Sequence, residues 1–164
     1  MSGPTPHRRL LDFLDGHGAT YEVIEHEPEG RSERISAIRG NDPGQAMKAI
    51  VLSVRGGGLG KRAIMAVIPG DRRLDMKALL AHAGAQKGRF APAETAAELT
   101  GCEMGAIPPF SFRDDLGLVV DEAFKAWDRV AFNAGRLDRS LFLDFADYAR
   151  IVDPPFAAIS EAPG

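Results

Sequence analysis

Leu10, Leu11 and Leu14 recur at helical spacing between charged residues, and Gly16 and Gly18 follow them. That spacing predicts an amphipathic helix ending near those glycines. "TYEVIEH" alternates as a strand does, and "SERISAIRG" predicts a short helix capped by Ser32 and stopped by Gly40. In "AMKAIVLSVRGGGLGKRAIMAVIPGD" two β-rich runs flank a glycine turn, a hairpin pattern. "DMKALLAHAG" and "PAETAAELTG" return to helical spacing, the second with Pro92 in its first turn. "LGLVVD", "RVAFNAG" and "SLFLD" predict short strands, and "DFADYARIV" predicts a closing helix. The last dozen residues, "DPPFAAISEAPG", carry no pattern and are expected to be a loosely held tail. Helices and strands are intermixed without a strict βαβ rhythm, so the fold expected is a mixed-sheet α+β domain over residues 1–152, with residues 153–164 as the tail.

Composition narrows the functional classes. At 164 residues, with 45% hydrophobic and 26% charged positions, the chain fits one globular domain rather than a disordered segment. No apolar run approaches the roughly 18–20 residues of a membrane span. Asp12 and Asp15 interrupt the N-terminal apolar stretch, which argues against a signal peptide. A single cysteine rules out an internal disulfide framework and makes a cytoplasmic location the default. The net charge of −3 means that any nucleic-acid partner must meet a local basic patch. Arg31, Arg34, Arg39, Lys61, Arg62, Arg72, Arg73 and Lys87 are the candidates for it.

Candidate chemistry is sparse. "RGGGLGK" fails as a phosphate loop, because Arg55 occupies the first glycine position and Arg62 follows Lys61 in place of Ser or Thr. It reads as a hairpin turn. His7, His17, His26 and His82 include no i,i+4 pair, so no structural zinc site is expected. There is no G-x-S-x-G elbow. Cys102 would need a nearby base to act as a nucleophile and otherwise reads as a small buried residue. Lys48 opens an otherwise apolar strand. It either snorkels to solvent or forms a partly enclosed ammonium able to hold an anion or a developing oxyanion. In "TGCEMGAIPPFSF", Pro108 and Pro109 stiffen a loop in which Gly105 permits close backbone approach.

Taken together and in order, "GQAMKAIVLSV", "AIMAVIPGDRRLDMKAL", "ELTGCEMGAIPPFSF", "LVVDEAF" and "VAFNAGRLDRSLFLDFADY" resemble the YbaK/prolyl-tRNA synthetase-associated domain family, from about Tyr21 to Val152. The resemblance implies a mixed, partly barrel-like sheet flanked by helices. It implies hydrolysis of the ester of mischarged aminoacyl-tRNA by water, a role in translation fidelity, and neither cofactor nor metal. Lys48 matches the family's functional lysine, and Gly105 and Pro109 match its G-x-x-x-P loop, so these three are the expected catalytic residues. Ala106, Ile107, Pro108, Asn133, Gly135 and His26 are expected to bind substrate.

Many relatives carry serine where this chain has Pro108, and some carry S-A-G in place of Asn133-Ala134-Gly135. "GAIPPFSF" with "AFNAG" resembles the branch acting on Ser- and Thr-charged tRNA rather than the Cys- or Ala-directed branches. Asn133 would then hydrogen-bond a hydroxylated side chain. The implied partner is mischarged aminoacyl-tRNA. Docking on a synthetase stays open, and neither DNA nor membrane is expected. Two other readings remain: a catalytically silent tRNA- or synthetase-binding module, and a thiol hydrolase using Cys102.

Overall fold

A computed structural model describes residues 4–162. Its first helix, α1 (Pro6–Gly16), is capped by Thr5, whose hydroxyl accepts the Arg8 N–H at 3.1 Å, and it buries Leu10, Leu11 and Leu14. Strand β1 (Tyr21–Glu25) follows, then α2 (Ser32–Arg39), which ends on Gly40 at φ +77° as expected. Ser32 is not its cap. Arg31 holds that position without a side-chain bond, and Ser32 is the first helical residue. A 3₁₀ turn at Pro43–Gln45 feeds the hairpin of β2 (Met47–Arg55) and β3 (Arg62–Pro69).

The chain then forms β4 (Arg73–Leu74), α3 (Met76–Ala83), β5 (Lys87–Phe90) and α4 (Ala93–Thr100). Asp75 caps α3 through the Ala78 N–H at 3.0 Å. Pro92 stands just ahead of the first turn of α4 rather than within it. After them come β6 (Leu116–Asp121), a 3₁₀ helix at Glu122–Ala126, β7 (Arg129–Arg136), β8 (Arg139–Asp144), α5 (Phe145–Val152), β9 (Phe156–Ala157) and β10 (Ser160–Glu161).

The main sheet has the order β5-β2-β3-β6-β9, antiparallel across β5, β2 and β3 and parallel from β3 through β6 to β9. A second sheet, β1-β8-β7, meets it at a bridge between Ala46 and Ala131. At β3 the main sheet is buried on both faces, each taking alternate residues of the strand. Ile64, Ala66 and Ile68 pack with Leu79 and Ile159, while Met65 and Val67 pack with Phe110, Phe132 and Tyr148.

The closing segment is not loosely held. Phe156–Ala157 extends the main sheet beside β6, Ser160–Glu161 pairs with β4, and Ile159 is fully buried. The Asp121 carboxylate accepts the Ile159 N–H at 3.1 Å and the Ala123 N–H at 2.8 Å, which anchors the segment. Strands of two residues carry too little alternation to register as a pattern.

Candidate active site

A cavity of about 370 Å³ opens beside the first half of β2. Lys48 and Ala49 from β2 form one wall, and Gly105 and Ile107 from the loop after α4 form another. Lys48 is half-buried, and its ammonium donates to the Arg72 carbonyl at 3.2 Å. Burial lowers its pKa below the ordinary lysine range, and the negative charges of Glu33 and Asp71 partly offset that. The enclosed-ammonium alternative for Lys48 thus matches its surroundings better than the snorkelling one.

The opposite wall is shaped by two glycines from distant loops. Gly105 has φ +89°, and a Cβ there would lie 2.8 Å from the Gly30 Cα. A side chain at either position would push the two loops apart, so the narrowness of the cavity depends on both glycines.

Asn133 also reaches the cavity, but its hydrogen-bonding capacity is spent. Its Nδ2 donates to the carbonyls of Gly105 (2.7 Å) and Glu29 (3.0 Å). Its Oδ1 accepts from Ser140 Oγ (3.0 Å) and Arg39 Nη1 (3.3 Å). The side chain therefore has no free donor for a substrate hydroxyl, contrary to the expectation above. Instead it ties the Gly105 loop to the loop that carries Gly30. His26 stands behind this network, sharing Nε2 with Ser140 Oγ at 2.7 Å and donating from Nδ1 to the Glu27 carbonyl at 2.8 Å. It does not line the cavity.

The rest of the proline loop also lies behind the wall. Ala106 is fully buried, and its carbonyl accepts the N–H of Gly135 at 2.9 Å. Gly135, at φ +82°, leaves no room for a Cβ against His7, so it packs on α1 rather than on a ligand. The Tyr148 hydroxyl donates to the Pro109 carbonyl at 2.7 Å, both groups being buried. Pro108 faces a separate hollow that it shares with Cys102. Of the expected site residues, Lys48, Gly105, Ile107 and Asn133 thus reach the cavity, and Pro109, Ala106, Pro108, Gly135 and His26 support it from outside.

Most of the cavity lining has no counterpart in the sequence reading of the site, Arg39, Phe90 and Met104 among it. Arg39, expected only as a base of a surface patch, is largely enclosed. It donates to Asn41 Oδ1 (2.9 Å), Asn133 Oδ1 and Ser140 Oγ (3.2 Å), and burial lowers its pKa to about 10. It makes no ion pair among the described residues. Phe90 and Met104 rim the opening and are more than half exposed. The only signal for Arg39 is its place on the last turn of a helix stopped by glycine, which does not distinguish it from a surface base.

Cys102 is buried, with Sγ 3.6 Å from the Thr100 carbonyl, and burial raises its pKa. It lies outside the cavity, which removes the ground for a thiol mechanism. Cys102→Ser is accordingly expected to hydrolyse substrate within about twofold of the native rate, and alkylation of the native protein is expected to leave activity unchanged. A folded but inactive Cys102→Ser protein would restore the thiol reading.

The structure also sorts the basic candidates. Arg31 pairs with Glu29 and Arg73 with Glu161, each at 3.0 Å. Arg62 donates to the Ala83 carbonyl at 3.1 Å. Lys61 and Lys87 instead join Arg55 and Arg89 around a groove on β2 and β5, and none of the four is ion-paired among the described residues.

Comparison with known proteins bears on the family and the fold. A family model described as an aminoacyl-tRNA editing domain matches residues 26–151. The chain is 42% identical over 153 residues to the multifunctional Ser/Thr-tRNA deacylase ProXp-y of Escherichia coli K12, covering 93% of this chain and 91% of that one. A solved structure of a candidate trans-editing enzyme for prolyl tRNA synthetase superposes with a TM-score of 0.79 at 23% identity, covering 98% of this chain and all of that one. A hypothetical protein of known structure gives a TM-score of 0.83 at 24% identity, over 93% of this chain and 99% of that one. These two structural likenesses speak for the fold.

Proposed function

Because this chain belongs to the aminoacyl-tRNA editing domain family, we propose that it is a trans-editing deacylase that hydrolyses the ester of mischarged tRNA carrying a small amino acid, serine and threonine foremost. The observation that carries this reading is the half-buried Lys48 ammonium across a narrow cavity from the Gly105 loop. About 370 Å³ is near the lower end of the ~300–1,000 Å³ of small-molecule pockets, which suits a small side chain.

Water attacks the ester carbonyl carbon and the bond to the ribose oxygen breaks. Of the water's two protons the ribose oxygen takes one and solvent the other, and the amino acid leaves as its carboxylate. The ester is already activated, so the protein supplies position and charge. Lys48 places positive charge beside the ester and terminal ribose, and the Gly105 loop sets the width of the cavity. With Asn133 committed to its own network, Ser32, Arg39 and Lys48 are the cavity side chains with hydrogen-bonding capacity for a hydroxylated substrate.

Pure protein assayed on seryl-, threonyl-, alanyl- and cysteinyl-tRNA tests this, with faster release of serine and threonine expected. Binding of tRNA with no release above the buffer rate would favour the silent binding module.

The groove lined by Arg55, Lys61, Lys87 and Arg89 is the proposed phosphate contact. Affinity for tRNA is expected to fall steeply with salt. Lys87→Ala or Arg89→Ala is expected to reduce the log–log slope by about one each. Filter binding at a series of salt concentrations measures it, and a flat response would place the tRNA elsewhere.

A further inference from the structure

β3 flanks β2 from Met47 to Val54 on one side, whereas on the other side β5 pairs only with Leu52–Arg55. The direction of the open backbone groups follows from two bonds. The Val51 carbonyl accepts the Ala91 N–H, and the Arg55 carbonyl accepts the Gln86 N–H, each at 2.9 Å. Alternate residues of an antiparallel strand send both N–H and C=O to the same side. The N–H and C=O of Ala49, with the Val51 N–H, therefore point away from β3 into a gap that no strand of the described residues fills. No loop or side-chain group bonds to them among the described residues.

That gap is the cavity. Every residue from Ala46 to Val51 lines it, although neighbouring residues of a strand point to opposite faces. A cavity in contact with an unbroken run of strand residues must lie along the strand's edge rather than on one face. Its wall at this point is the backbone.

We propose that this free edge captures the amino-acid part of the substrate by strand-like pairing at Ala49, an inference that rests on the aminoacyl-ester reading above. The ammonium nitrogen and ester carbonyl oxygen of an α-amino acid stand in the same N–Cα–C–O relation as the N–H and C=O of a strand residue. One edge residue can therefore exchange both bonds with it, the Ala49 C=O accepting from the ammonium and the Ala49 N–H donating to the ester carbonyl. In that arrangement the substrate's side chain lies on the same face as that of Ala49. This face packs with the core group that includes Met47, Val51, Ala96 and Ile107, a close apolar wall. Lys48 projects from the opposite face and stays available to the ribose. The edge thus recognises what all aminoacyl esters share, and the packed face restricts side-chain size.

The pairing is tested by replacing Ala49 with lactic acid, which exchanges its N–H for an ester oxygen and keeps the side chain. With a thermal melt close to native, kcat/KM is expected to fall roughly 10- to 100-fold. The fall should be similar for seryl-, threonyl- and alanyl-tRNA, because the lost contact does not involve the side chain. On the native protein, N-acetylseryl-tRNA is expected to lose a comparable factor.

A second measurement does not depend on turnover. A non-hydrolysable adenosine bearing serine in 3′-amide linkage should shift the Ala49 amide proton and slow its exchange, while that of Val54, bonded within the sheet, stays unchanged. A folded lactic-acid variant at the native rate, or an Ala49 amide unmoved by saturating analogue, would overturn the proposal. If the native protein failed to hydrolyse any ester, the enzymatic reading would fall. The amide shift would then still decide whether the edge binds the aminoacyl group.

Discussion

Seryl-tRNA hydrolysis by the Lys48→Ala protein is expected to fall about 100-fold, the scale of removing one group that stabilises an oxyanion or developing charge. The loss should appear mainly in kcat, because the ammonium meets charge that grows as water adds to the carbonyl. The fold should be unaffected. Among the described residues, the only hydrogen bond of the Lys48 ammonium is to the Arg72 carbonyl at 3.2 Å, and a half-buried lysine carries a desolvation cost that alanine does not. Thermal melts and single-turnover rates on the same preparation separate the two effects. A Lys48→Ala protein with native melting and native turnover would remove Lys48 from the mechanism and leave the Gly105 loop to account for the whole rate.

Gly105→Ala is expected to cost a comparable factor by a different route. The residue sits at φ +89°, where a side chain costs roughly 1–2 kcal/mol. Its Cβ would also meet the Gly30 Cα at 2.8 Å, and backbone cannot rotate away as a side chain can. Either the Gly105 loop or the Gly30 loop must retreat, and the Asn133 bonds to both loops transmit the shift to Ser140 and Arg39. A displacement of about 1 Å in a positioning wall costs ~100-fold in rate. Gly30→Ala approaches the same contact from the other side, at 3.2 Å, and should show the same defect in milder form. Kinetics well below the melting temperature measure the displacement separately from the loss of stability. Native rates in a folded Gly105→Ala protein would show that the cavity tolerates a wider gap than the one seen.

Where apolar runs were long, the sequence and the structure agree. Helix α1, the β2–β3 hairpin and strands β6 to β8 carry enough alternation or helical spacing to be read directly. Strand β5 was missed because its four residues are mostly exposed and its one inward position is Gly88, packed against Leu80 and Met76. Lys48 and Gly105 were identifiable as singular residues within matching segments. The role of Asn133 was not, because a side chain that donates to two backbone carbonyls gives no sign in sequence of where those carbonyls lie. Arg39 looked like a surface base for the same reason. Its burial is produced by the approach of β7 and β8, about a hundred residues further along the chain.

The anchoring of Ile159 by Asp121 bears on how the chain is made. Residues 156–161 are synthesised after every other strand, so a nascent chain that has already assembled β2, β3 and β6 still presents the outer side of β6 unpaired. During that interval the Asp121 carboxylate lacks the Ile159 N–H, and β4 has no neighbour on the side that β10 later covers. Bare strand edges template pairing with other chains, and such species are the aggregation-prone ones. Premature termination before residue 156 would make that interval permanent, leaving a polypeptide with its full set of cavity residues and an open sheet margin, a substrate for chaperones and proteases rather than for tRNA.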